Sequence, residues 1–401
     1  MAVTLHELLL PQVVLDMISR VRPGQGALGS WLGFQPNTFN AETVTLSGPA
    51  TISGKARYAN FRVFNNSRVP SNFRAPGTGP GTVIRNPLGQ VPVTCLRSHD
   101  KIPLNYEELG NLSVMVGPNA QIDPMGQSYV KAQQTYLATR FAHNVEMMAA
   151  GMMRDSLYGH IDGDNIVPSF TAPDNSTTFG FQVPFQIPAG QKNQLNMLGA
   201  GNIIDVSWAN INAHIVQHLM SIEAAFAQLT GHSMTDVWIN SLLWPKIITN
   251  TEVRNTAGSS ITPFAEFDRE PETGMDGKKT TRYVAVLRAV PTVRWHLCND
   301  IVALGGNQLD PIHTASTATA AKLIPDNMAI FCTTPSPDIC KLYLGSEPVV
   351  ERAGMDAVLR AGYYFWTEPT TQPSGIDQIA LMNAIPLLLN PFVFCPATVI
   401  F

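Results

Sequence analysis

Charge is the property that this sequence lacks most. Asp, Glu, Lys and Arg together make up 14% of its 401 residues, whereas about 25% is usual in a soluble domain. The apolar fraction of 45% is ordinary, so the deficit falls on the surface of the fold. Because the buried centres of interfaces are depleted in charge, we expect other copies of the chain to cover much of this surface. A neutral, polar-rich monomer is the alternative that composition leaves open.

Cysteine is scarce, and its spacing is irregular. The sequence has five cysteines, none of them in a Cys-x-x-Cys pair: Cys95, Cys298, Cys332, Cys340 and Cys395. An odd and scattered set predicts neither a disulfide framework nor a zinc knuckle, and it fits synthesis in a reducing cytoplasm.

The sequence also lacks a long uninterrupted apolar segment. No basic segment precedes the apolar positions of the first twenty residues, so a signal peptide is not predicted. Near the other end, Pro386, Asn390 and Pro391 interrupt the longest apolar stretch, which falls short of the ~20 residues that a membrane span requires. We therefore expect a soluble protein with no membrane partner. The net charge of -4 argues against a dedicated nucleic-acid binder, but not against a protein that encloses DNA.

Catalytic motifs are absent or lie in the wrong context. Residues 24–29 match a Gly-x-Gly-x-x-Gly dinucleotide fingerprint, but they follow a predicted helix and not a strand. Residues 77–81 are rich in glycine, yet they lack the Lys and Ser/Thr of a phosphate-binding loop. No nucleophile elbow, catalytic Cys-His signature or kinase motif set is present. We therefore predict no catalytic residues, no cofactor and no enzymatic activity.

Two clusters remain as candidate ligand sites. His214 and His218 lie four residues apart on a predicted helix and could bind a metal with His232, although no Glu between them could serve as a general base. Four carboxylates near residue 270 could bind a cation, form a catalytic pair or accept arginines from another subunit: Asp268, Glu270, Glu272 and Asp276. We favour packed or surface histidines, and an acidic loop that is either solvated or an acceptor for another subunit's arginines; we predict no bound metal.

Basic residues are concentrated in one segment. From Lys55 to Lys101 there are eight basic residues and a single acidic one. The segment is also rich in proline and glycine, so it buries little against its own domain. We predict a long hairpin with a flexible tip that reaches a neighbouring subunit through its arginines. A solvated loop and a DNA-binding arm, in which Phe61, Phe64 and Phe73 stack on bases, are the alternatives.

Helical and strand patterns both occur along the rest of the chain, and we expect an α+β protein. The strongest helical pattern runs from residue 127 to 158 and predicts a half-exposed helix of roughly 45 Å. A short helix is predicted over 5–20, and another runs from Ser207 to about Leu229, after a glycine pair, Gly199 and Gly201, that marks a domain boundary. A charged excursion is predicted over 266–279. Strands are predicted at 237–243, 283–287, 293–297, 327–332, 363–366 and 376–389.

The order of these parts resembles the lambda-type major capsid proteins of tailed double-stranded DNA phages, which have the Hong Kong 97 (HK97)-like fold. That order is an N-terminal arm, a basic hairpin, a long helix, an α/β portion and an extended return of the chain. Short stretches at corresponding places carry the resemblance along nearly the whole chain: residues 42–46 (Glu-Thr-Val-Thr-Leu), 52–54 (Ile-Ser-Gly), 157–159 (Leu-Tyr-Gly), 324–327 (Ile-Pro-Asp-Asn) and 385–388 (Ile-Pro-Leu-Leu).

The resemblance implies a division of the chain and a set of partners. The segments would be an N-terminal arm with the start of a peripheral domain (1–53), an extended loop (54–101), a peripheral domain with a spine helix (102–197, helix 127–158), an axial domain (198–345) and a return segment completing the peripheral domain (346–401). Subunits would form hexamers and pentamers of an icosahedral virion shell, assembled in the host cytoplasm around DNA that is bound without sequence specificity. A portal protein and a scaffolding protein would be partners, and a decoration protein is left open.

The arginines of the extended loop are our candidate contact residues, paired with carboxylates of an adjacent subunit. The donors are Arg62, Arg68, Arg74 and Arg85, and the acceptors, chosen by their location, are Glu107, Glu108, Glu146 and Asp155. Three alternatives to a capsid subunit remain: an encapsulin-like nanocompartment shell of the same fold, a metal-dependent hydrolase that uses His214 and His218, and a tail or baseplate component.

Overall fold

The computed structural model describes residues 27–34, 51–54, 58–63, 89–105, 107, 124–162, 165–172, 179–183, 185–199, 201–255, 265–273, 279–287, 290–304, 319–349, 358–361, 363–371 and 374–401. The predicted helix over 5–20 lies outside these residues. The helices are α1 Ala27–Leu32, α2 Pro124–Arg154, α3 Ile215–Thr230, α4 Trp244–Thr249 and α5 Thr251–Asn255. The strands are β1 Thr51–Gly54, β2 Tyr58–Val63, β3 Gly89–Thr94, β4 Leu96–Asn105, β5 Tyr158–Asp162, β6 Asn165–Ser169, β7 Phe179–Gln182, β8 Asp236–Ile239, β9 Ala265–Thr273, β10 Lys279–Leu287, β11 Val290–Leu297, β12 Ile301–Leu304, β13 Thr319–Lys322, β14 Met328–Cys332, β15 Cys340–Val349, β16 Val358–Ala361, β17 Tyr363–Thr371, β18 Ser374–Leu388 and β19 Phe394–Thr398.

The long helix α2 is the predicted spine helix, and it ends four residues earlier than predicted. Asp155 has a φ of 53° and takes the left-handed conformation that terminates helices. The Ser156 backbone N–H then donates to the Gly151 carbonyl over 2.9 Å. A Cβ on Gly151 would lie 2.8 Å from the Leu157 Cβ, so only glycine lets the chain close back over the helix here. The turn therefore falls at Asp155, and not after residue 158 as expected.

A six-stranded sheet, which we call the peripheral sheet, packs against α2. Its strand order is β1-β15-β18-β17, with β4 on the other edge of β18 and β16 paired to β15. Ala384 in β18 pairs with Leu96 on one side and Leu344 on the other, so the returning chain forms the middle of the sheet. The predicted domain limit at 345 falls inside β15, a strand that pairs with both β1 and β18 of this sheet.

A second six-stranded sheet, the axial sheet, has the order β19-β14-β8-β11-β10-β9. Only β8 and β11 run parallel within it. The last strand of the chain, β19, pairs with β14 in the axial sheet, whereas β16, β17 and β18 of the predicted return segment lie in the peripheral sheet. The charged excursion predicted over 266–279 is also corrected, because β9 and β10 form a regular antiparallel hairpin there.

Helix α3 lies beside the axial sheet and begins eight residues later than Ser207, the predicted cap. Residues 207–213 form turns instead, in which the Ser207 hydroxyl accepts from the Ala209 N–H and the Asn210 side chain accepts from the Asn212 N–H. The helix ends at Gly231, whose φ of 85° supplies the left-handed cap. The predicted glycine boundary has positive φ at both of its residues, 72° at Gly199 and 121° at Gly201.

One hydrophobic core connects α1, α2 and both sheets. Its largest fully buried side chains are aromatic: Trp208, Trp238, Trp295, Phe34, Phe141, Phe226, Phe331 and Phe394. A smaller cluster of Tyr364, Trp366, Ile379 and Leu381 lies between β17 and β18. No helix in the described ranges is both long enough and apolar enough to cross a membrane.

Candidate assembly surfaces

The basic hairpin has an antiparallel base, as predicted. Strands β2 and β3 pair from Tyr58 opposite Thr94 to Val63 opposite Gly89, and Arg62 lies opposite Gln90. The connecting residues 64–88 lie outside the described part of the chain. Six of the residues singled out in the sequence also lie outside the described part of the chain. They are three predicted donors, one predicted acceptor and two of the phenylalanines considered for base stacking: Arg68, Arg74, Arg85, Glu108, Phe64 and Phe73.

Glu146, a predicted acceptor for another subunit, already binds backbone groups of its own subunit. The side chain is buried on α2, where its carboxylate accepts the Leu28 N–H over 3.0 Å and the Gly29 N–H over 2.7 Å. These donors belong to the first turn of α1, whose amides have no partner within the helix. A Cβ on Gly29 would lie 2.6 Å from Glu146 Oε1, so glycine is needed for this close approach. The carboxylate holds α1 against the spine helix.

Asp155 is likewise used within its own subunit. Its carboxylate accepts a hydrogen bond from Lys192 Nζ, and only 12% of its side chain is exposed. Burial raises the pKa of Asp155, although the bond and the charge of Lys192 act in the opposite direction. Like Glu146, Asp155 already has a partner within its own subunit, whereas Glu107 is exposed and stays a predicted acceptor.

Contacts with β4 fix the spine helix on the peripheral sheet. Arg140 Nε donates to the Asp100 carboxylate over 3.0 Å, and Asn144 Nδ2 donates to the Ser98 hydroxyl over 3.0 Å. Ser98 and Asp100 are two residues apart and so share one face of the strand. That face is the one covered by α2.

The opposite face of the peripheral sheet has two ion pairs. Arg97 binds Glu347 over 3.0 Å, and the Asn383 amide donates to the same carboxylate over 2.8 Å. Lys101 binds Asp377 over 2.9 Å. In each pair the cation is largely exposed and the carboxylate mostly covered.

A polar cluster in the axial sheet was missed by sequence reasoning. Asp236 is fully buried at the start of β8 and accepts from His296 Nε2 over 2.7 Å, Arg294 over 3.0 Å, the Thr235 hydroxyl over 2.6 Å and the Thr334 hydroxyl over 2.9 Å. Burial alone raises the pKa of Asp236, but the hydrogen bonds from His296 and Thr235 and the charge of Arg294 outweigh it and lower the pKa to about 2. One sequence pattern could have identified this cluster. It is an aspartate at the start of an apolar strand, together with Arg and His at alternate positions of another strand.

Trp31 of α1 extends this cluster toward the spine helix. Its ring meets the Trp238 ring edge-on, with 5.2 Å between the centroids, and lies 5.9 Å from the His296 ring. The His296 ring in turn stacks on Trp238 at 4.6 Å. Segment 27–34 thus contacts the axial sheet through Trp31 and the spine helix through Glu146, and it joins the two parts of the fold.

The candidate metal ligands do not form a site. His218 Nδ1 accepts from Trp208 Nε1 over 3.2 Å and its Nε2 lies 2.8 Å from Asp205 Oδ1, so both ring nitrogens have protein partners. The bond from His218 lowers the pKa of Asp205. Within the described ranges no three His, Cys, Asp or Glu residues are grouped so that they could hold a metal ion. Asp268, Glu270 and Glu272 lie in β9, while Asp276 is outside those ranges.

Comparison with solved structures shows the fold. A chain assigned as the capsid protein of a prophage from Escherichia coli CFT073 is similar over 100% of this chain and 99% of its own length, with a TM-score of 0.51 and 11% identity. A phage-related protein from Bordetella bronchiseptica RB50 aligns over 100% of this chain and 98% of its own, with a TM-score of 0.49 and 11% identity. The first likeness confirms the predicted α+β, HK97-like capsid fold. No curated protein matches the sequence.

Comparison with family models shows the family. The model described as phage major capsid protein E matches residues 56–399. The match begins just before strand β2 of the basic hairpin and runs through β19, the last strand of the axial sheet. It therefore includes the spine helix, the axial sheet and all of the peripheral sheet except β1. Because most of the chain is matched, this protein belongs to the phage major capsid protein E family.

Proposed function

We propose that this chain is the major capsid subunit of a tailed double-stranded DNA phage, and that its copies form the hexamers and pentamers of an icosahedral shell. The observation that carries this proposal is the family match over residues 56–399. The charge-poor composition supports it, because a shell subunit buries much of its surface against other subunits.

The role is structural and not catalytic. The carboxyl group of Asp236, whose pKa is lowered to about 2, is fully buried and hydrogen bonded by four side chains, so a substrate could not reach it. The buried thiols are poor nucleophiles, because burial raises the pKa of Cys340 to about 12. These features stabilise a subunit and do not activate a reacting group.

The basic hairpin is the arm that binds the next subunit. Its base is fixed by the pairing of β2 with β3, so the residues between them start from a defined place on the subunit. Arg62, Arg68, Arg74 and Arg85 are the proposed donors. With Glu146 and Asp155 occupied inside their own subunit, Glu107 and Glu108 are the proposed acceptors.

Ion pairs of this kind determine how neighbouring subunits align more than how tightly they bind. Exposed pairs contribute about 0 to 1 kcal/mol each, so no single arginine holds the shell together. Apolar burial between subunits contributes most of the binding free energy. The charged arm selects which surface of the neighbour is bound.

The shell encloses DNA without reading its sequence. With a net charge of only -4, the subunit repels DNA phosphates weakly and does not bind them strongly. The subunit assembles in the host cytoplasm and ends in the virion. A scaffolding protein and a portal protein are the proposed partners during assembly, and a decoration protein is a further candidate.

Deletion of residues 66–90 tests the arm. The variant should stay folded and soluble but fail to form closed shells in negative-stain electron microscopy. A control replaces the same residues by a Gly/Ser linker of equal length, which keeps the spacing and removes the arginines. Normal shells from either variant would contradict the arm. A wild-type chain that stays monomeric when concentrated, with and without its scaffolding partner, would contradict the capsid function itself.

A further inference from the structure

Segment 27–34 is anchored to the spine helix through α1. The buried Glu146 carboxylate accepts the Leu28 N–H over 3.0 Å and the Gly29 N–H over 2.7 Å. A Cβ on Gly29 would lie 2.6 Å from Glu146 Oε1, so the backbone of α1 is as close to the carboxylate as glycine permits. Two directional hydrogen bonds and this close approach fix how α1 lies on α2.

The same segment is anchored to the axial sheet through Trp31. The Trp31 ring meets the Trp238 ring edge-on at 5.2 Å and lies 5.9 Å from the His296 ring. The rings of Trp238 and His296 are stacked on each other, and His296 Nε2 lies 2.7 Å from Asp236 Oδ1. Trp31 therefore packs against a surface whose geometry is set within the axial sheet.

A second connection joins the spine helix to the axial sheet without α1. Arg154, the last residue of α2, donates from Nη1 to the carbonyls of Lys322 and Leu323, each over 3.3 Å. The next carbonyl, that of Ile324, accepts from Asn240 Nδ2 over 3.1 Å, and Asn240 directly follows β8. Arg154 thus binds a stretch of chain that is itself bonded to the axial sheet.

The two connections are separated along the helix axis. Glu146 and Arg154 are eight positions apart on α2, which is about 12 Å at 1.5 Å per residue. A helix held at one point can pivot about it, whereas two separated points define its direction. Strand β19 also lies close to α2, but it is mostly apolar, and hydrophobic burial is non-directional. The direction of the spine helix therefore depends on α1.

We propose that segment 27–34 sets the angle between the spine helix and the axial sheet, and through this angle the curvature of the shell. A closed shell repeats one subunit, so a changed angle within the subunit changes the angle between neighbours at every repeat. The inference rests on the proposed capsid function, because curvature exists only in an assembly. It goes further by naming the segment that determines the shape of the subunit.

A distance measured in the unassembled subunit tests the angle by itself. All five cysteines are buried, whereas Ala132 of α2 and Gln217 of α3 are exposed, so Ala132→Cys and Gln217→Cys introduce two sites for spin labels. Ala132 lies 22 residues before Arg154, about 33 Å along the axis, so a rotation of roughly 10° about Arg154 moves it by about 6 Å. Pulsed electron paramagnetic resonance measures a shift of this size.

Loss of either anchor should shift or broaden the distance between the labels. Gly29→Ala forces α1 away from Glu146, and Trp31→Ala removes the contact with the axial sheet. Trp31→Leu is a second variant at that position, because it keeps apolar volume there and perturbs folding less. Ile247→Ala, at a fully buried residue of α4, is the control for lost stability alone and should leave the distance unchanged. Thermal unfolding shows which variants are folded.

Negative-stain electron microscopy of the assembled particles tests the link to curvature. Folded Gly29→Ala and Trp31→Leu subunits should form shells of mixed diameter or open sheets. The wild type and Ile247→Ala should form shells of a single diameter, because both keep the two anchors of α1.

An unchanged label distance in the folded anchor variants would overturn the role of segment 27–34 and leave the capsid function intact. A changed distance with shells of wild-type diameter would overturn the link to curvature. An equal change in Ile247→Ala would assign the effect to lost stability and so overturn the proposal. A wild-type chain that never associates would overturn the capsid function and the link to curvature, whereas the label distance would still decide whether the segment sets the angle.

Discussion

The axial and peripheral sheets differ in how far their ion pairs are buried. Among the side chains that the structure describes, the axial sheet has one fully buried carboxylate, Asp236, which is bound by four side chains. The peripheral sheet has separate ion pairs, such as Lys101–Asp377, whose cations are exposed. A buried group that loses its partners keeps its full desolvation cost, whereas an exposed one exchanges them for water. The difference predicts that axial stability depends on one site and that peripheral stability does not.

Asp236→Asn should give the largest effect and would test the axial side of this comparison. The amide offers one acceptor oxygen in place of two to the four donor side chains, and it leaves Arg294 without a counter-charge. We expect a loss of about 3 to 5 kcal/mol in the free energy of unfolding. Urea denaturation of the unassembled subunit, followed by tryptophan fluorescence, measures it. Asp377→Asn in the peripheral sheet is the matched control, and an equal loss there would contradict the comparison.

The dependence of subunit stability on pH provides a second test of Asp236→Asn. The folded pKa of Asp236, about 2, is below its ordinary value of 3.8, so its charge stabilises the fold above about pH 4. This stabilisation, about 2 to 3 kcal/mol, is lost as the pH falls from about 4 to 2. The wild-type subunit should weaken over that range. Asp236→Asn should weaken less, and an identical acid profile would show that Asp236 does not carry the effect.

The sequence predicts parts of the fold that depend on local pattern. The spine helix follows from the spacing of residues such as Leu137, Phe141 and Val145, and the base of the hairpin follows from strands that flank a Gly- and Pro-rich segment. The end of that helix was misplaced because Asp155, a non-glycine residue, takes the left-handed conformation. Local pattern could not show which residue fills that role.

Contacts between distant residues were beyond the reach of such patterns. Glu146 occupies a helix position of ordinary polar character, and its binding to amides 117 and 118 residues away depends on how α1 packs. The acidic period-two pattern of β9 was present in the sequence, but Pro271 and the surrounding charges favoured a loop. The structure shows a strand there because the ladder with β10 continues past the proline.

Glu146→Gln should have the next largest effect, and it tests the contact between α1 and the spine helix. The amide keeps one acceptor but turns an NH2 group toward the second backbone N–H, which is then buried without an acceptor. We expect a loss of about 2 kcal/mol in the free energy of unfolding, measured by urea denaturation. Ser30→Ala, in the same short helix, is the control and should change the stability by less than about 0.5 kcal/mol.

Gly29→Ala tests the same contact from the other partner. Its new Cβ would lie 2.6 Å from Glu146 Oε1, so the carboxylate must move away from both amides. Since both substitutions remove one contact, the double variant should lose less stability than the two single losses added together. Full additivity would show that the carboxylate does not hold α1.

Lys101→Met should have the smallest effect, and it tests an exposed ion pair of the peripheral sheet. The lysine side chain is 64% exposed, so water can replace its ammonium beside Asp377 when it is removed. The expected loss is below about 1 kcal/mol in urea denaturation. Lys246→Met, at an exposed lysine with no ion pair in the described ranges, is the matched control for loss of a surface charge. A loss from Lys101→Met that approaches the loss from Asp236→Asn would mean that the peripheral sheet, too, depends on a single buried carboxylate, because Asp377 itself is only 9% exposed.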